Sequence, residues 1–204
     1  MKPSDIASGY DGLADIWNGD DFDRSNGIEQ HRRAIAFCSA KGRALDVGCG
    51  SSGRIIELML ENGFDAEGLD LSDRMLELAR ARHPNTRFHQ ADICEWVAEN
   101  SYDFVSAWDS IWHVPLSEQA TVLRKLMGCL NTNGVLVFTM GGLDAESEIT
   151  DSAMGPEMYY STLGVSKTLA LIEETGCTCR HLEYDQHPEP HVYVIVQKTA
   201  QKRG

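Results

Sequence analysis

With 204 residues, 42% of them hydrophobic and 24% charged, the chain has the make-up of one globular domain with a sizeable core. A formal net charge of −13 sets an acidic surface against any phosphodiester backbone and so disfavours nucleic acid as a partner. No apolar run is long enough to span a membrane, and Met1-Lys2-Pro3-Ser4-Asp5 lacks the apolar core of a signal peptide, so a cytoplasmic protein is expected.

In chain order, residues 1–40 are read as a helical N-terminal segment carrying Tyr10, Trp17 and Arg24. The first strand spans 44–47 and stops at a glycine loop, 48–53. A helix with Ile55, Ile56, Leu58, Met59 and Leu60 follows and closes on Asn62-Gly63, a C-cap pair. A second strand is expected at 66–71. Ser72 is a good N-cap for the next helix, which carries Met75, Leu76, Leu78 and Ala79 and must end before Pro84. Strands three and four are expected at 87–93 and 102–108.

Ser117 then reads as the cap of a helix whose Val122, Leu123, Leu126, Met127 and Leu130 form one apolar stripe. Residues 131–134 read as a turn, and 135–140 as a strand buried on both faces. A polar insertion, 141–163, breaks the rhythm. A last helix at 165–175 and two strands at 178–184 and 191–198, joined through Pro188 and Pro190, complete the chain. Alternation of strand and helix requires a parallel sheet, because parallel neighbours need crossover connections. The expected fold is therefore a doubly wound α/β sheet of seven strands, six parallel and the last antiparallel, with helices on both faces and ligands at the carboxyl ends of the strands.

Six cysteines, at positions 38, 49, 94, 129, 177 and 179, lack the paired spacing of a metal site. Cys177-Thr178-Cys179 with His181 fits alternating strand positions better, so reduced thiols and no metal are expected. His181, His187 and His191 flank the closing hairpin without an evident partner and read as surface or packing residues.

The glycine loop carries the chemistry. Gly48-x-Gly50-x-x-Gly53 lies between a strand and a helix, with Asp70 ending the next strand. Glycines allow a tight turn and a close backbone approach, and on glycines alone the loop suits a dinucleotide equally well. Asp46, two residues before the first glycine, discriminates. It opposes a pyrophosphate but attracts a ligand bearing an α-ammonium and a sulfonium. Asp70 suits a ribose of either ligand, and Asp92 is placed to accept from an adenine amino group with Ile93 against the ring.

The segments Leu45-Asp46-Val47-Gly48-Cys49-Gly50, Gly68-Leu69-Asp70-Leu71-Ser72, Gln90-Ala91-Asp92-Ile93 and Tyr102-Asp103-Phe104-Val105 resemble the ordered motifs of class I S-adenosylmethionine-dependent methyltransferases. Asn133-Gly134-Val135-Leu136 is similar to that family's glycine-led fifth strand, and the resemblance covers residues 42–140. It implies that Asp46, Gly48, Cys49 and Gly50 hold the methionine moiety of S-adenosylmethionine and Asp70 its ribose. Leu71, Met75, Asp92 and Ile93 would frame the adenine, the carbonyl of Ala107 would receive the ammonium, and Trp17 would belong to a lid over the cofactor. The product would be S-adenosylhomocysteine.

Candidates for chemistry follow the fourth strand, in Trp108-Asp109-Ser110-Ile111-Trp112-His113. His113 aligns with a family histidine and suits a general base, with a loop-tying role equally open. Asp109 can orient a polar or cationic acceptor. Tyr160 joins these as a catalytic candidate, and Tyr10, Trp112 and Tyr159 as acceptor-binding ones. The acidic pair of metal-dependent catechol-type enzymes, the Asn-Pro-Pro-Tyr signature and a double-glutamate loop are all missing from the sequence. The expected activity is metal-independent methyl transfer to a small molecule by a monomer or homodimer. A nicotinamide-dependent oxidoreductase and a non-catalytic S-adenosylmethionine-binding regulator are the alternatives.

Overall fold

The computed structural model describes residues 1–19 and 22–200. Seven strands form one sheet: β1 (Arg43–Val47), β2 (Asp65–Asp70), β3 (Arg87–Gln90), β4 (Tyr102–Ala107), β5 (Leu130–Gly141), β8 (Cys177–Glu183) and β9 (His191–Lys198), in the order β3-β2-β1-β4-β5-β9-β8. Strand β9 runs antiparallel to both β5 and β8, which leaves the other six parallel, as expected from the alternation. The order reverses between β1 and β4, and that switch point opens a crevice at the carboxyl edge of the sheet.

Successive residues of each strand feed opposite faces, because side chains alternate along a pleated backbone. Leu45, Val105, Leu136, Phe138 and Val194 join a core closed by α5 (Leu116–Gly128) and α6 (Val165–Glu174). Ala44, Phe104, Val135, Val137 and Ile195 face the other way, against α2 (Ile28–Ile35) and α3 (Arg54–Glu61). Burying one such Leu, Val or Phe contributes about 1.5–3 kcal/mol, so the two-sided sheet supplies most of the driving force. No helix among the described residues is long and apolar enough to cross a membrane.

Four local expectations need correction. The third strand ends at Gln90 rather than residue 93: Ala91 N–H still reaches the Asp70 carbonyl, and then Asp92 turns the chain by accepting from Cys94 N–H at 2.8 Å. The expected turn at 131–134 lies inside β5, as an irregularity in its pairing with β4. Asn133 takes a positive φ of 66° there, which is how a ladder absorbs extra residues. Ser117 caps nothing, because α5 starts after Pro115, and its first N–H, on Leu116, donates to the Tyr159 hydroxyl at 3.0 Å. The polar insertion holds a two-stranded hairpin, β6 (Ser147–Asp151) with β7 (Met158–Thr162).

Helix α1 (Pro3–Trp17) lies across the carboxyl edge. Ile6 and Leu13 bury against Met158 and Tyr159 of the hairpin strand. On its polar side, Asp11 accepts from Ser72 Oγ at 2.6 Å and from Arg74 N–H at 3.2 Å, at the start of α4 (Asp73–Arg82). Arg74 also pairs with Asp15 at 2.9 Å. Ser72 is therefore both the N-cap of α4, accepting from Met75 N–H at 3.1 Å, and the anchor of α1. Ser72→Ala should cost about 1–2 kcal/mol. A urea titration should show a lower midpoint with the slope unchanged.

Candidate active site

A cavity opens at the carboxyl ends of β1, β2 and β4, beneath α1. Its floor is the glycine loop. The Gly48 and Cys49 N–H groups both donate to the Leu69 carbonyl, at 2.7 and 3.1 Å, which folds the loop back over β2. Gly48 has φ +69° and a Cβ there would run into Ser110, so the loop and the segment after β4 close together only on a glycine. Gly50 has φ +57° with open space where its Cβ would project, so the bare backbone is presented for close approach.

Three carboxylates surround this loop and line the cavity: Asp46 as the penultimate residue of β1, Asp70 at the end of β2 and Asp92 two residues beyond β3. Asp46 is 3% exposed. Burial pushes its carboxyl up to about 7, against the opposing pull of the Ser106 hydrogen bond and the Arg54 charge. Asp70 accepts from Gly50 N–H and Ser72 N–H, both at 2.9 Å. Burial raises it too, while those backbone donors hold it down. Asp92 spends Oδ1 on Cys94 N–H. Gly48, Cys49, Leu71, Met75, Ile93 and Trp17 also line the cavity, as do Tyr10, Asp109 and His113.

Ala107 does not. It is fully buried and paired with Phe138 inside the sheet, so the cavity wall begins one residue later, with Trp108, Asp109, Ser110 and Ile111. The Tyr159 side chain also points elsewhere, its hydroxyl donating to Glu148 at 2.7 Å outside the cavity. Trp112 and Tyr160 stand behind the wall as neighbours of His113, with ring centroids 6.2 and 4.9 Å from it.

His113 is 8% exposed and held on both nitrogens. The Tyr159 carbonyl, 2.7 Å from Nδ1, can only accept, so the ring proton sits on Nδ1. Nε2 then accepts from the Tyr10 hydroxyl at 2.8 Å and from Trp112 Nε1 at 3.1 Å. Burial lowers His113 to about 4. A neutral histidine thus joins α1, the hairpin and the segment after β4, and its basic nitrogen is already engaged.

Two parts of the site were not anticipated. Arg54, directly after the third glycine, lines the cavity, with Nε donating to the Asn26 carbonyl at 2.9 Å and Nη1 to Ser52 Oγ at 3.0 Å. Its place at the start of α3, next to the loop, was the available signal. His191, expected on the surface or in packing, bridges Asp109 at 3.0 Å and Asp185 at 2.5 Å. No spacing announces a contact across 82 residues.

The raised Asp46 carboxyl has a consequence for stability. The folded protein keeps its proton to about pH 7, whereas the unfolded chain releases it near pH 4, so stability falls across that window and the full penalty remains above it. Asp46→Asn should therefore stabilise the fold at pH 8 by on the order of a few kcal/mol, seen as a higher Tm, and change it little near pH 4. Thermal unfolding at the two pH values is the measurement.

Residues 44–134 match the family model described as "Methyltransferase domain". Trans-aconitate 2-methyltransferase of Rhizobium rhizogenes is 38% identical over 100 residues, 48% of this chain and 38% of that protein. The enzyme of the same name from an Enterobacter species is 32% identical over 142 residues, 65% of this chain and 55% of its own length. The chain thus spans about half the length of these relatives, or less. Among solved structures, the 1,6-didemethyltoxoflavin-N1-methyltransferase of Burkholderia thailandensis, with its substrate and S-adenosylhomocysteine bound, superposes with a TM-score of 0.73 at 18% identity. That match covers 97% of this chain and 87% of the other. Ordered motifs, sheet order and these likenesses agree: residues 44–134 are similar to the methyltransferase domain, and the whole described chain shares the fold of solved S-adenosylmethionine-dependent methyltransferases.

Proposed function

We propose that this chain transfers a methyl group from S-adenosylmethionine to a small molecule. The observation that carries the reading is the set of three carboxylates, Asp46, Asp70 and Asp92, at the carboxyl edge of adjacent strands around a positive-φ glycine loop. That set fits an adenosyl ligand with a cationic amino-acid end and opposes a pyrophosphate, which is the physical case against a nicotinamide dinucleotide.

The residues fit the cofactor in sequence along the cavity. Asp46 would neutralise the α-ammonium, and Arg54 would take the carboxylate beside it. The bare backbone at Gly50 gives room for the methionine chain. Asp70, pre-oriented by two backbone donors, would accept from the ribose hydroxyls. Asp92 would accept from the adenine amino group, between Leu71, Met75 and Ile93. Bound there, S-adenosylmethionine supplies a methyl group activated by its positively charged sulfur. What is left to the protein is to exclude water and hold a nucleophile in line.

Helix α1 does the first. Tyr10 and Trp17 close the cavity from above, and the Tyr10–His113 hydrogen bond fastens the helix to the wall opposite. His113, neutral and engaged on both nitrogens, serves here as the anchor of that closure, with Trp112 and Tyr160 packed on it. The acceptor named in the relatives, trans-aconitate, is a tricarboxylate. Asp46, Asp70, Asp92 and Asp109 line this cavity against the single guanidinium of Arg54, so that acceptor suits this chain poorly.

Calorimetry with S-adenosylhomocysteine and with NAD tests the reading. The first should bind and the second should not; tight NAD binding without affinity for the adenosyl ligand would sink it. Asp70→Ala should weaken S-adenosylhomocysteine by about 1.5–3 kcal/mol, roughly ten- to a hundredfold. Radiolabelled methyl transfer over a panel of small molecules tests catalysis against mere binding.

A further inference from the structure

We propose that the methyl acceptor is a small amine or nitrogen heterocycle, recognised through an N–H donated to Asp109, with His191 as the positioning residue behind that carboxylate. The proposal rests on the methyl-transfer reading and names its acceptor.

Asp109 lies two residues past the end of β4 and lines the cavity, between Trp108 and Ser110. Its backbone takes a positive φ of 50°, uncommon for a residue with a side chain, and its N–H donates to Thr139 Oγ1 at 2.8 Å. Both carboxylate oxygens are steered: Oδ1 accepts from His191 Nε2 at 3.0 Å and Oδ2 from Asn26 Nδ2 at 3.2 Å. The other ring nitrogen of His191 donates to Asp185, which in turn accepts from Gln30 Nε2 at 2.8 Å.

Carboxylates only accept, so a histidine held between two of them carries both ring protons and a positive charge. Burial opposes that charge, but the hydrogen bonds to Asp109 and Asp185 outweigh it and raise the His191 pKa. Two carboxylates and one imidazolium leave one net negative charge. Asp185 does not line the cavity and Asp109 does, so the charge is offered to whatever enters. Tyr10 and Trp108 line the cavity beside Asp109.

A hydroxyl acceptor would need a base, and the basic nitrogen of His113 is taken by Tyr10 and Trp112. A neutral nitrogen brings its own lone pair. As that pair forms the new C–N bond, the electrons of the C–S bond remain on sulfur and the positive charge moves to the nitrogen, beside Asp109. The methylated nitrogen leaves as a cation paired with Asp109, or gives up its N–H proton to solvent. A fixed anion placed where positive charge arrives is electrostatic assistance of the preorganised kind.

The test uses protein saturated with S-adenosylhomocysteine, titrated in a calorimeter with benzylamine, with histamine and with citrate as the polycarboxylate. Wild type should bind at least one amine and bind citrate more weakly. Asp109→Asn should weaken the amine at least tenfold and tighten citrate, with affinity for S-adenosylhomocysteine kept within about threefold. His191→Gln, which keeps one donor toward Asp109 but removes the positive charge and leaves the site more negative, should tighten the amine and weaken citrate further, the reverse of Asp109→Asn. Opposite changes for amine and citrate are a response that a merely loosened fold does not produce. Failure of both amines to bind, a preference of wild type for citrate, or indifference of the amine to both substitutions would each overturn the acceptor assignment alone. Failure of S-adenosylhomocysteine to bind wild type would instead overturn the methyl-transfer reading beneath it.

Discussion

A carboxylate kept almost wholly out of water near the end of β1, beside the switch point of the sheet, is the constraint that organises this molecule. Asp46 pairs in register with Gly68 on one side and Ser106 on the other, so it cannot swing into solvent. Removing its hydration disfavours the charged form, and burial accordingly dominates its titration. Arg54, the glycine loop and the mouth of the cavity are arranged around that residue. A site that costs stability when empty and is relieved by a cationic ligand is what function asks of a binding residue, and the fold tolerates it because the two-sided core is large.

Closure over this site comes from segments far apart in the chain. Helix α1 is amphipathic, but its apolar residues do not enter the sheet core; they bury on the β6–β7 hairpin, which the insertion after β5 supplies. Its polar residues meet the start of α4. Tyr10 joins the two systems through His113. Cavity roof and wall are therefore one hydrogen-bonded unit, in which a neutral histidine has a defined tautomer. The fold gives the same imidazole ring two uses in two places: neutral at His113, facing a carbonyl and two donors, and charged at His191, facing two carboxylates.

Much of the scaffold was legible because its cause is local or periodic. Strands β1, β2, β4 and β9 follow from apolar runs, and Ser72 caps α4 through its own hydroxyl. The glycines at 48, 50 and 53 all take positive φ, as a strand-to-helix turn requires. Errors fell where a distant partner supplied the deciding contact. Ser117 has the right side chain for a cap, yet the Tyr159 hydroxyl reaches the N-terminus of α5 first, and the same contact turns Tyr159 away from the cavity. Ala107 itself lies outside the cavity lining because strand pairing with Phe138 extends to that position.

By itself, then, the sequence determined the doubly wound sheet with its antiparallel last strand, and the glycine loop with carboxylates near it. Those depend on period-two and period-3.6 burial, on turn glycines, and on carboxylates near strand ends, all written within short stretches of chain. The surroundings of Asp109 and His113 were decided only by tertiary structure. His191 lies 82 residues from Asp109, and His113 takes its tautomer from a carbonyl 46 residues away. Whether an imidazole is neutral or charged depends on which acceptors and donors the finished fold brings to its two nitrogens, and that is a property of three-dimensional packing.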